Sequence, residues 1–283
     1  MIYGQSQWVI VMEQLCDLYF EFSNEDRLEI LKIVRARPLN VTNLARERDI
    51  TSQECSRHVS RLLEAGLVYK DLDGLYHSSA YGDLLLRLQP SHEFVCANRE
   101  YFSSHSLDFL PESLAGRIGE LSQSDYVGDL MVAIHKMERL LKEAEEYVLT
   151  IAAQYPVSTY PLFFDAWERG VRVMSVDSRR QVPPKEIVEA ISREDWRERI
   201  HEARAKGLSE DRLWDVIDIN LWMSEREVAI IAFPKVDGSS DLLGFSGEDE
   251  RTRRWCSDLF DYFWERGVPG HWDEIHLYSG EKS

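Results

Sequence analysis

The chain has 283 residues and a formal net charge of −17; 44% of its residues are hydrophobic and 29% are charged. This composition is typical of a globular protein and excludes a disordered or fibrous chain, and the length suffices for one small and one medium-sized domain. The apolar runs are shorter than the roughly 18 residues of a membrane-spanning helix, and no basic, apolar leader begins the chain. We therefore expect a cytoplasmic protein of two domains that contacts no membrane.

The four cysteines, Cys16, Cys55, Cys96 and Cys256, stand singly along the chain without a CxxC pair. This spacing favours reduced, mostly buried thiols over a zinc site or a disulfide framework. Neither HExxH, GxSxG nor a glycine-rich phosphate loop occurs, and the histidines lack the spacing of a metal site. We therefore expect no metal, no cofactor and no catalytic centre.

Residues 1–23 are predicted to form a helix that precedes the first domain. Trp8, Val11, Leu15, Leu18 and Phe22 recur at helical spacing and give one continuous apolar face. A lone peripheral helix would expose too much of that face to water. Dimerisation and packing onto the rest of the chain are both compatible with this pattern.

Residues 24–90 begin with the signals of two helices. Ser23, three residues before Asp26, predicts the start of a helix that ends at Pro38, and the apolar positions of residues 41–48 predict a second, shorter helix. The spacing of these two helices is that of the first part of a helix-turn-helix.

A capped helix and a hairpin complete the pattern. Thr51 and Glu54 form a capping box that begins the next helix, and Gly66 ends it. Residues 67–70 and 75–77 are short alternating runs on either side of a turn, which predicts a hairpin, or wing. The whole of 24–90 is therefore predicted to be a DNA-binding winged helix-turn-helix.

The helix after Thr51 is the predicted recognition helix, because its polar side carries arginines. The predicted DNA-contacting residues are Thr51, Gln53, Ser56, Arg57, Ser60 and Arg61 on this helix, Arg46 on the preceding helix and Lys70 in the wing. A merely solvated helix face is the alternative, and Arg46 is as compatible with solvent as with phosphate. Lys70 lies beside Asp71, whose negative charge weakens the expected attraction between the wing and the DNA phosphates. The segment has ten basic and ten acidic residues, so the excess of negative charge lies outside it.

Strands and helices alternate in the last half of the chain. After a helical linker or dimerisation region at 91–146, the predicted strands are 147–153, 171–177, 216–222, 228–233 and 242–246, and the predicted helices are 160–169, 183–206 and 248–266. This alternation predicts an α/β regulatory domain at 147–283. Because open α/β sheets bind ligands near strand ends, the candidate ligand-binding residues are Tyr155, Asp177, Arg179, Arg180 and Trp222. Each of them is equally compatible with packing or with the surface.

Several short motifs resemble one known family. They are Arg-Leu-Glu-Ile-Leu at 27–31, Asn-Arg-Glu-Tyr-Phe at 98–102 with His105, Leu-Pro at 110–111, Arg-Ile-Gly-Glu-Leu at 117–121, Ser-Glu at 224–225, Phe-Pro at 233–234, Asp-Gly at 237–238, Trp-Cys at 255–256 and Leu-Phe at 259–260. The chain resembles the archaeal regulator family named for control of methanogenesis and filament formation.

The resemblance implies an N-terminal winged helix and a C-terminal domain similar to the phospholipase-D-like effector domain of TrmB-type archaeal sugar regulators. The enzymes of that fold need His-x-Lys followed by Asp, supplied twice, and this chain lacks the motif. The nearest string, His135-Lys136, has the wrong spacing. We expect no phosphodiester chemistry, and no ligand residues carry over.

These features favour a sequence-specific transcription regulator that binds double-stranded DNA as a homodimer, because a two-fold dimer suits a palindromic site. The α/β domain would set the dimer geometry or bind a small effector. The alternative is a winged helix that serves as a protein-interaction module of the transcription machinery, as the acidic total favours. A third alternative makes the C-terminal domain an enzyme, with His135 as the residue to test.

Overall fold

The structure, a computed structural model, describes residues 5–152, 155–179, 185–191 and 194–271. The chain divides into two units, Met1–Gln89 and Pro90–Ser283. No helix among the described residues is long and apolar enough to cross a membrane. Within the same residues, no three His, Cys, Asp or Glu side chains converge as metal ligands.

The N-terminal unit is a helical domain with a two-stranded hairpin. Its elements are α1 Gln5–Phe22, α2 Glu25–Ala36, α3 Val41–Arg48, α4 Ser52–Glu64, β1 Val68–Lys70 and β2 Tyr76–Ser78, and α5 Ala80–Ala97 runs past its end. The hairpin is antiparallel and pairs Lys70 with Tyr76. Gly74 takes the left-handed conformation that its turn requires, with φ of 83°. Helix, short helix, capped helix and wing therefore follow one another as predicted.

One local prediction in this unit was wrong. Asn24, not Ser23, caps α2, because its side chain accepts the backbone N–H of Arg27 while the Ser23 hydroxyl donates to the carbonyl of Phe20. The domain boundary predicted at residue 90 falls inside a helix, because α5 continues past Pro90 to Ala97. A proline inside a helix removes its own N–H from the hydrogen-bond ladder and crowds the carbonyl four residues earlier, so the surrounding packing has to support α5 at this point. The division between the units falls at this proline.

The core of the N-terminal unit forms from the apolar faces of its helices and the start of its wing. Its fully buried side chains include Ile30, Leu31, Leu44, Cys55, Leu62 and Leu67. Because α4 contributes Cys55, Val59 and Leu62 to this core, its opposite side must face outward. The core therefore fixes which side of α4 is available to a partner.

The C-terminal unit is a mixed sheet with helices on both faces. Its helices are α6 Arg99–Phe102, α7 Glu112–Ala115, α8 Leu130–Glu143, α9 Tyr160–Glu168, α10 Lys185–Ile191, α11 Glu194–Ala205 and α12 Glu250–Arg266. Its strands are β3 Asp125–Val127, β4 Tyr147–Ala152, β5 Arg172–Ser178, β6 Ser209–Trp214, β7 Asn220–Ser224, β8 Val228–Ala232, β9 Gly244–Gly247 and β10 Val268–Pro269.

The strand order in the described sheet is β10-β6-β5-β4-β7-β8-β9-β3. Strands β4, β5 and β6 are mutually parallel, whereas β7, β8, β9 and β3 continue the sheet in antiparallel pairs. Alternate residues of β4 pack into two cores: Val148 and Ala152 lie with α8 and α9, and Leu149 and Ile151 lie with α12. Helices therefore cover both faces of the sheet, which confirms the predicted α/β class.

Three strand predictions needed correction. The segment predicted as a strand at 216–222 begins its strand only at Asn220, and β6 comes earlier, at Ser209–Trp214. The sequence of β6 is Ser-Glu-Asp-Arg-Leu-Trp. Acidic residues are uncommon in strands, so only the parallel pairing with β5 identifies this segment as one. Strand β3 falls inside the region predicted to be helical, since three residues are too few to show a period.

Candidate nucleic-acid interface

Helix α4 has a polar side that faces away from the core. Its capping box fixes where the helix begins, and its buried residues fix which side is outward. The Thr51 hydroxyl accepts the backbone N–H of Glu54, and the Glu54 carboxylate accepts the backbone N–H of Thr51, so the predicted capping box is present. Gln53, Ser56 and Arg57 are exposed, and so is Ser60. These four residues are spaced at i, i+3, i+4 and i+7, which places them on one side of the helix.

Thr51 itself acts as a cap in this structure. Its hydroxyl accepts from the backbone of Glu54 at 3.2 Å and donates to the Glu54 carboxylate at 2.8 Å. Because its hydrogen is committed, Thr51 can offer DNA only its remaining lone pair, for which phosphates and most guanine edges are poor partners. Thr51 therefore has a structural role as the cap of α4, and its contact with DNA stays a prediction.

Ion pairing divides the ten basic residues of 24–90 into two groups. Six of them pair with carboxylates: Arg27 and Arg61 with Glu21, Lys32 with Glu29, Arg35 with Asp83, Arg37 with Glu47 and Arg48 with Asp26. Arg46, Arg57, Lys70 and Arg87 form no ion pair with any residue that the structure describes. Positive charge that no carboxylate neutralises is what attracts phosphate, so these four side chains are the electrostatic part of the candidate interface.

Arg57 is the most available of these side chains on α4. It is exposed, and no hydrogen bond or ion pair ties its guanidinium to the described part of the chain. Arg46, on α3, is also exposed and makes only a long contact of 3.5 Å with the amide oxygen of Asn43. Both guanidinium groups are therefore accessible, and their contact with DNA stays a prediction.

Arg61, which is also predicted to contact DNA, is paired with α1 in this structure, although 41% of its side chain stays exposed. Its guanidinium hydrogen-bonds both carboxylate oxygens of Glu21, at 3.1 Å from Nε to Oε2, and it lies 5.0 Å from the centre of the Phe20 ring. The bidentate geometry and the stacking both use the flat guanidinium that a base contact would need. Arg61 therefore connects α1 to α4 and does not point freely outward.

Glu21 is the centre of this connection. It is 7% exposed, and Arg27 approaches it on the other side, with Nε 3.0 Å from its carboxylate. Arg27 also donates to the backbone carbonyls of Phe20 and Glu21, at 2.6 and 2.9 Å. The hydrogen bond from Arg61 and the charge of Arg27 lower the pKa of Glu21 against the opposing effect of burial. The sequence analysis missed Glu21, whose only signal was an acidic residue among the apolar positions of the first helix.

His58 is a second residue that the sequence analysis did not single out. It lies on α4 between the exposed Arg57 and the buried Val59, and it is itself buried at 7% exposure. Burial lowers the pKa of His58, which favours the neutral imidazole. His58 is thus part of the inward side of the recognition helix.

The wing holds an acid next to its one cation, as the sequence predicts. The Asp71 carboxylate lies 2.7 Å from Nε2 of His77 and accepts the backbone N–H of Leu75 at 2.8 Å. The hydrogen bond with His77 lowers the pKa of Asp71. Lys70 lies over the ring of Tyr76 at 5.3 Å. In the described wing, Lys70 is therefore exposed, and the neighbouring Asp71 is hydrogen-bonded to His77.

Three of the five candidate ligand-binding residues meet in the C-terminal unit. Tyr155 donates its hydroxyl to Asp177 Oδ1 at 2.6 Å, and its ring contacts Trp222 edge to face at 5.3 Å. Arg179 instead lies at the surface, 3.6 Å from the exposed Asp215. Arg180 falls outside the described residues. The structure therefore brings three of the five side chains together, and their binding of a ligand stays a prediction.

Asp177 is fully buried, and burial together with the charge of Asp211 raises its pKa well above the usual range. Its Oδ2 has no hydrogen-bond partner among the described residues. Thr150 and Ser175 continue the polar cluster, with a hydroxyl bond of 2.9 Å between them. An isolated carboxyl group in an apolar core is costly in its charged form, so this cluster needs a physical reason.

One family model matches part of the chain. A family model described as a helix-turn-helix domain matches residues 22–69, which span α2, α3, α4 and the first strand of the wing. No curated protein is a significant match to the chain. The N-terminal unit thus contains a helix-turn-helix domain.

Solved structures show only weak likeness. TrmBL2, titled an archaeal chromatin protein with a novel mode of DNA binding, is 15% identical, with 87% of this chain and 94% of that chain covered and a TM-score of 0.40. NucT from Helicobacter pylori is 9% identical over 52% of this chain and 97% of its own, with a TM-score of 0.37. Nuc from Salmonella typhimurium, titled a phospholipase D family member, is 10% identical over 53% and 97%, with a TM-score of 0.35. At these scores the likenesses carry no argument about this chain.

Replacing Glu21 by glutamine should destabilise the N-terminal unit by about 3 kcal/mol, because it removes one partner of a buried ion pair and leaves the Arg27 guanidinium without its carboxylate. Urea unfolding followed by circular dichroism measures the change. Glu13→Gln, an exposed site on the same helix, is the matched control and should leave stability within about 0.5 kcal/mol of wild type. Equal stability of the two variants would show that the Glu21 cluster does not hold α1 in place.

Replacing Asp177 by asparagine should change how stability depends on pH. Because the pKa of folded Asp177 is raised, the wild type loses stability as the pH rises above the ordinary value of 3.8, and asparagine removes that loss. The stability of Asp177→Asn relative to wild type should therefore increase between pH 4 and pH 8 in thermal unfolding. A difference that is constant across this range would contradict the raised pKa.

Proposed function

We propose that this chain is a sequence-specific DNA-binding transcription regulator whose recognition helix is α4. The observation that carries the proposal is the exposed side of α4, where Gln53, Ser56, Arg57 and Ser60 face outward from a capped and well-packed helix. These are side chains that hydrogen-bond base edges in the major groove. The matched helix-turn-helix domain supports the same function.

The proposal assigns different tasks to the available cations. Arg57 is the residue that would contact the O6 and N7 of a guanine with both guanidinium N–H groups, since it is exposed on the outward side of α4 and forms no hydrogen bond or ion pair with the described residues. Arg46 and Lys70 flank it in the sequence, on α3 and in the wing, and would contact phosphates. Arg61 would instead connect α4 to α1 through its ion pair with Glu21.

Charge distribution favours approach to DNA through this unit. Residues 24–90 carry equal numbers of acidic and basic residues, whereas the whole chain has a net charge of −17. A duplex is repelled by the acidic remainder and less so by the neutral module. The four unpaired cations of the module then become the preferred contact.

Arg57→Ala should lower affinity for a specific promoter fragment by about tenfold or more, since one bidentate contact with guanine is worth about 1–3 kcal/mol. Arg61→Ala should instead act mainly through stability. Fluorescence anisotropy with a specific and a scrambled duplex measures both, and unfolding curves identify variants that fail to fold. Arg172→Ala, which removes an exposed charge paired with Glu210 in the C-terminal unit, is the control. Wild-type affinity of Arg57→Ala would remove α4 from the recognition role.

A protein-interaction module of the transcription machinery is the second candidate, and the observation that favours it is the net charge of −17 together with the acidic turn of the wing. Salt titration of the same binding reaction separates the two. Contacts to phosphates make affinity fall steeply with salt, and Arg46→Ala should reduce the slope of log K against log salt by about 1. A salt-independent affinity would favour the protein-interaction function.

We also propose that the regulator is a homodimer joined through α1. Val11, Met12, Leu15 and Tyr19 are 37–53% exposed and lie within one stripe of this helix, while Leu18 and Phe22 pack against the core. An apolar stripe left in water is best buried against its own copy, because a two-fold pair of recognition helices suits a palindromic site.

Leu15→Glu should convert the dimer into a monomer, because it places a charge in the middle of the apolar stripe. Sedimentation velocity over a range of protein concentrations measures the change. Gln14→Glu adds the same charge on the other side of α1 and should leave the dimer intact. If both variants sediment as the wild type does, the stripe is not the dimer interface.

For the C-terminal unit we propose a sensing or dimer-setting role without catalysis, in line with the archaeal regulator family that the motifs resemble. The string His135-Lys136 lies on α8, where His135 is exposed, and not at a strand end that could form a nucleophilic site. Cleavage of a generic phosphodiester that is lost in His135→Ala would overturn this part of the proposal.

A further inference from the structure

An open cleft of about 490 Å³ lies in the C-terminal unit, where α5 ends and α6 begins. Its walls come from residues 97–101, from residues 104–105 and from Tyr126 on the edge strand β3. This volume lies within the range of about 300–1,000 Å³ that sites for small molecules occupy. The cleft therefore has room for a whole small molecule.

One wall of the cleft is aromatic. The rings of Tyr101 and His105 stack with their centres 3.8 Å apart, and Tyr126 meets Tyr101 edge to face at 5.7 Å. Tyr101 and His105 are buried, whereas Tyr126 is 51% exposed. The contact with the buried Tyr101 holds the Tyr126 ring in place and still leaves half of its surface uncovered. The cleft thus offers an aromatic surface that a flat apolar group can cover.

The cleft also carries one charge of each sign, because Arg99 and Glu100, successive residues of α6, both line it. Both are exposed, and neither side chain forms an ion pair or a hydrogen bond with a described residue. Glu225 and Arg226, which are likewise adjacent in the sequence, do form an ion pair, at 3.6 Å. The guanidinium of Arg99 and the carboxylate of Glu100 therefore both keep their hydrogen-bonding capacity for a ligand.

This pair of charges selects against a ligand that has only one. A carboxylate that pairs with Arg99 would also be repelled by Glu100, and an amine that pairs with Glu100 would be repelled by Arg99. A nucleotide is disfavoured further, because its phosphates would approach a chain with a net charge of −17. In a zwitterion, each charge can meet a side chain of the opposite sign.

From this arrangement we infer that the cleft binds an aromatic α-amino acid. Arg99 would donate two N–H groups to its carboxylate, Glu100 would accept from its ammonium group, and Tyr126 would contact its ring. The ammonium and carboxylate groups of an amino acid are attached to one carbon, so two successive residues with long side chains can reach both. The inference rests on the proposed sensing role of the C-terminal unit and gives that role a ligand class.

The end of α5 connects this cleft with the proposed function. Ala97, the last residue of α5, lines the cleft, and Leu86 of the same helix packs in the core of the N-terminal unit. A ligand in the cleft would therefore contact a helix that is also part of the DNA-binding module.

Binding is measured on the full chain without DNA, so its failure leaves the proposed DNA-binding function untouched. L-Phenylalanine and L-tryptophan are titrated by calorimetry and by thermal unfolding. The comparison compounds are phenethylamine, which lacks the carboxylate, hydrocinnamate, which lacks the ammonium group, and L-alanine, which lacks the ring. We expect saturable binding and a raised melting temperature with the two aromatic amino acids, and binding of the comparison compounds that is weaker by about tenfold or more. No saturable binding of either amino acid, or equal affinity for any comparison compound, would overturn the inference.

Two variants connect binding to the two charges. Arg99→Gln should bind phenylalanine about as weakly as the wild type binds phenethylamine, and Glu100→Gln about as weakly as the wild type binds hydrocinnamate. Arg251→Gln on α12 and Glu112→Gln on α7 remove the same charges at exposed sites outside the cleft and should bind phenylalanine as the wild type does. Cooperative unfolding of each variant shows that it is folded. Wild-type affinity in either cleft variant contradicts the assignment of that charge and overturns the inference.

Discussion

The carboxylate of Glu21 is the contact on which the N-terminal unit depends. It receives Arg27 from α2 and Arg61 from α4, so one buried acid at the end of α1 holds three helices at a fixed spacing. Buried charges of this kind are tolerated only when each is paired and hydrogen-bonded, as they are here. The arrangement also ties the helix that we propose for dimerisation to the helix that we propose for DNA recognition. A displacement of α1 would therefore also shift α4.

The same pairing decides which arginines can meet a partner. A count of basic residues makes the module electrically neutral, but charge that is neutralised inside the module does not act on a phosphate outside it. Glu21 holds the guanidinium groups of both Arg27 and Arg61 and offsets one of their two positive charges, whereas Arg57 and Arg46 stay exposed without an ion pair among the described residues. The surface that we propose to contact DNA is thus smaller than the sequence suggests and is centred on the middle of α4. Its modest charge fits a protein that depends on base contacts more than on non-specific attraction.

The C-terminal unit also buries polar side chains. The strands β4 and β5 carry Thr150, Ser175 and Asp177 on the side that faces α9, in a layer otherwise made of aromatic and aliphatic side chains. A core that served stability alone would gain from apolar residues at these positions. Hydrogen bonds from Thr150 to Ser175 and from Tyr155 to Asp177 link these polar side chains, while Asp177 Oδ2 has no partner among the described residues.

Local signals in the sequence determined the N-terminal architecture: the capping box of Thr51 and Glu54, the apolar period of α4 and the glycine of the wing act over a few residues, and the structure confirms each. The alternation of strands and helices likewise predicted the α/β class. Only the tertiary structure decided that Arg61 turns to Glu21, 40 residues away, and that Tyr155, Asp177 and Trp222 meet while Arg179 stays apart. Which charge meets which carboxylate depends on how helices and strands pack. That information is spread over the whole core and is not carried by the neighbours of any one residue.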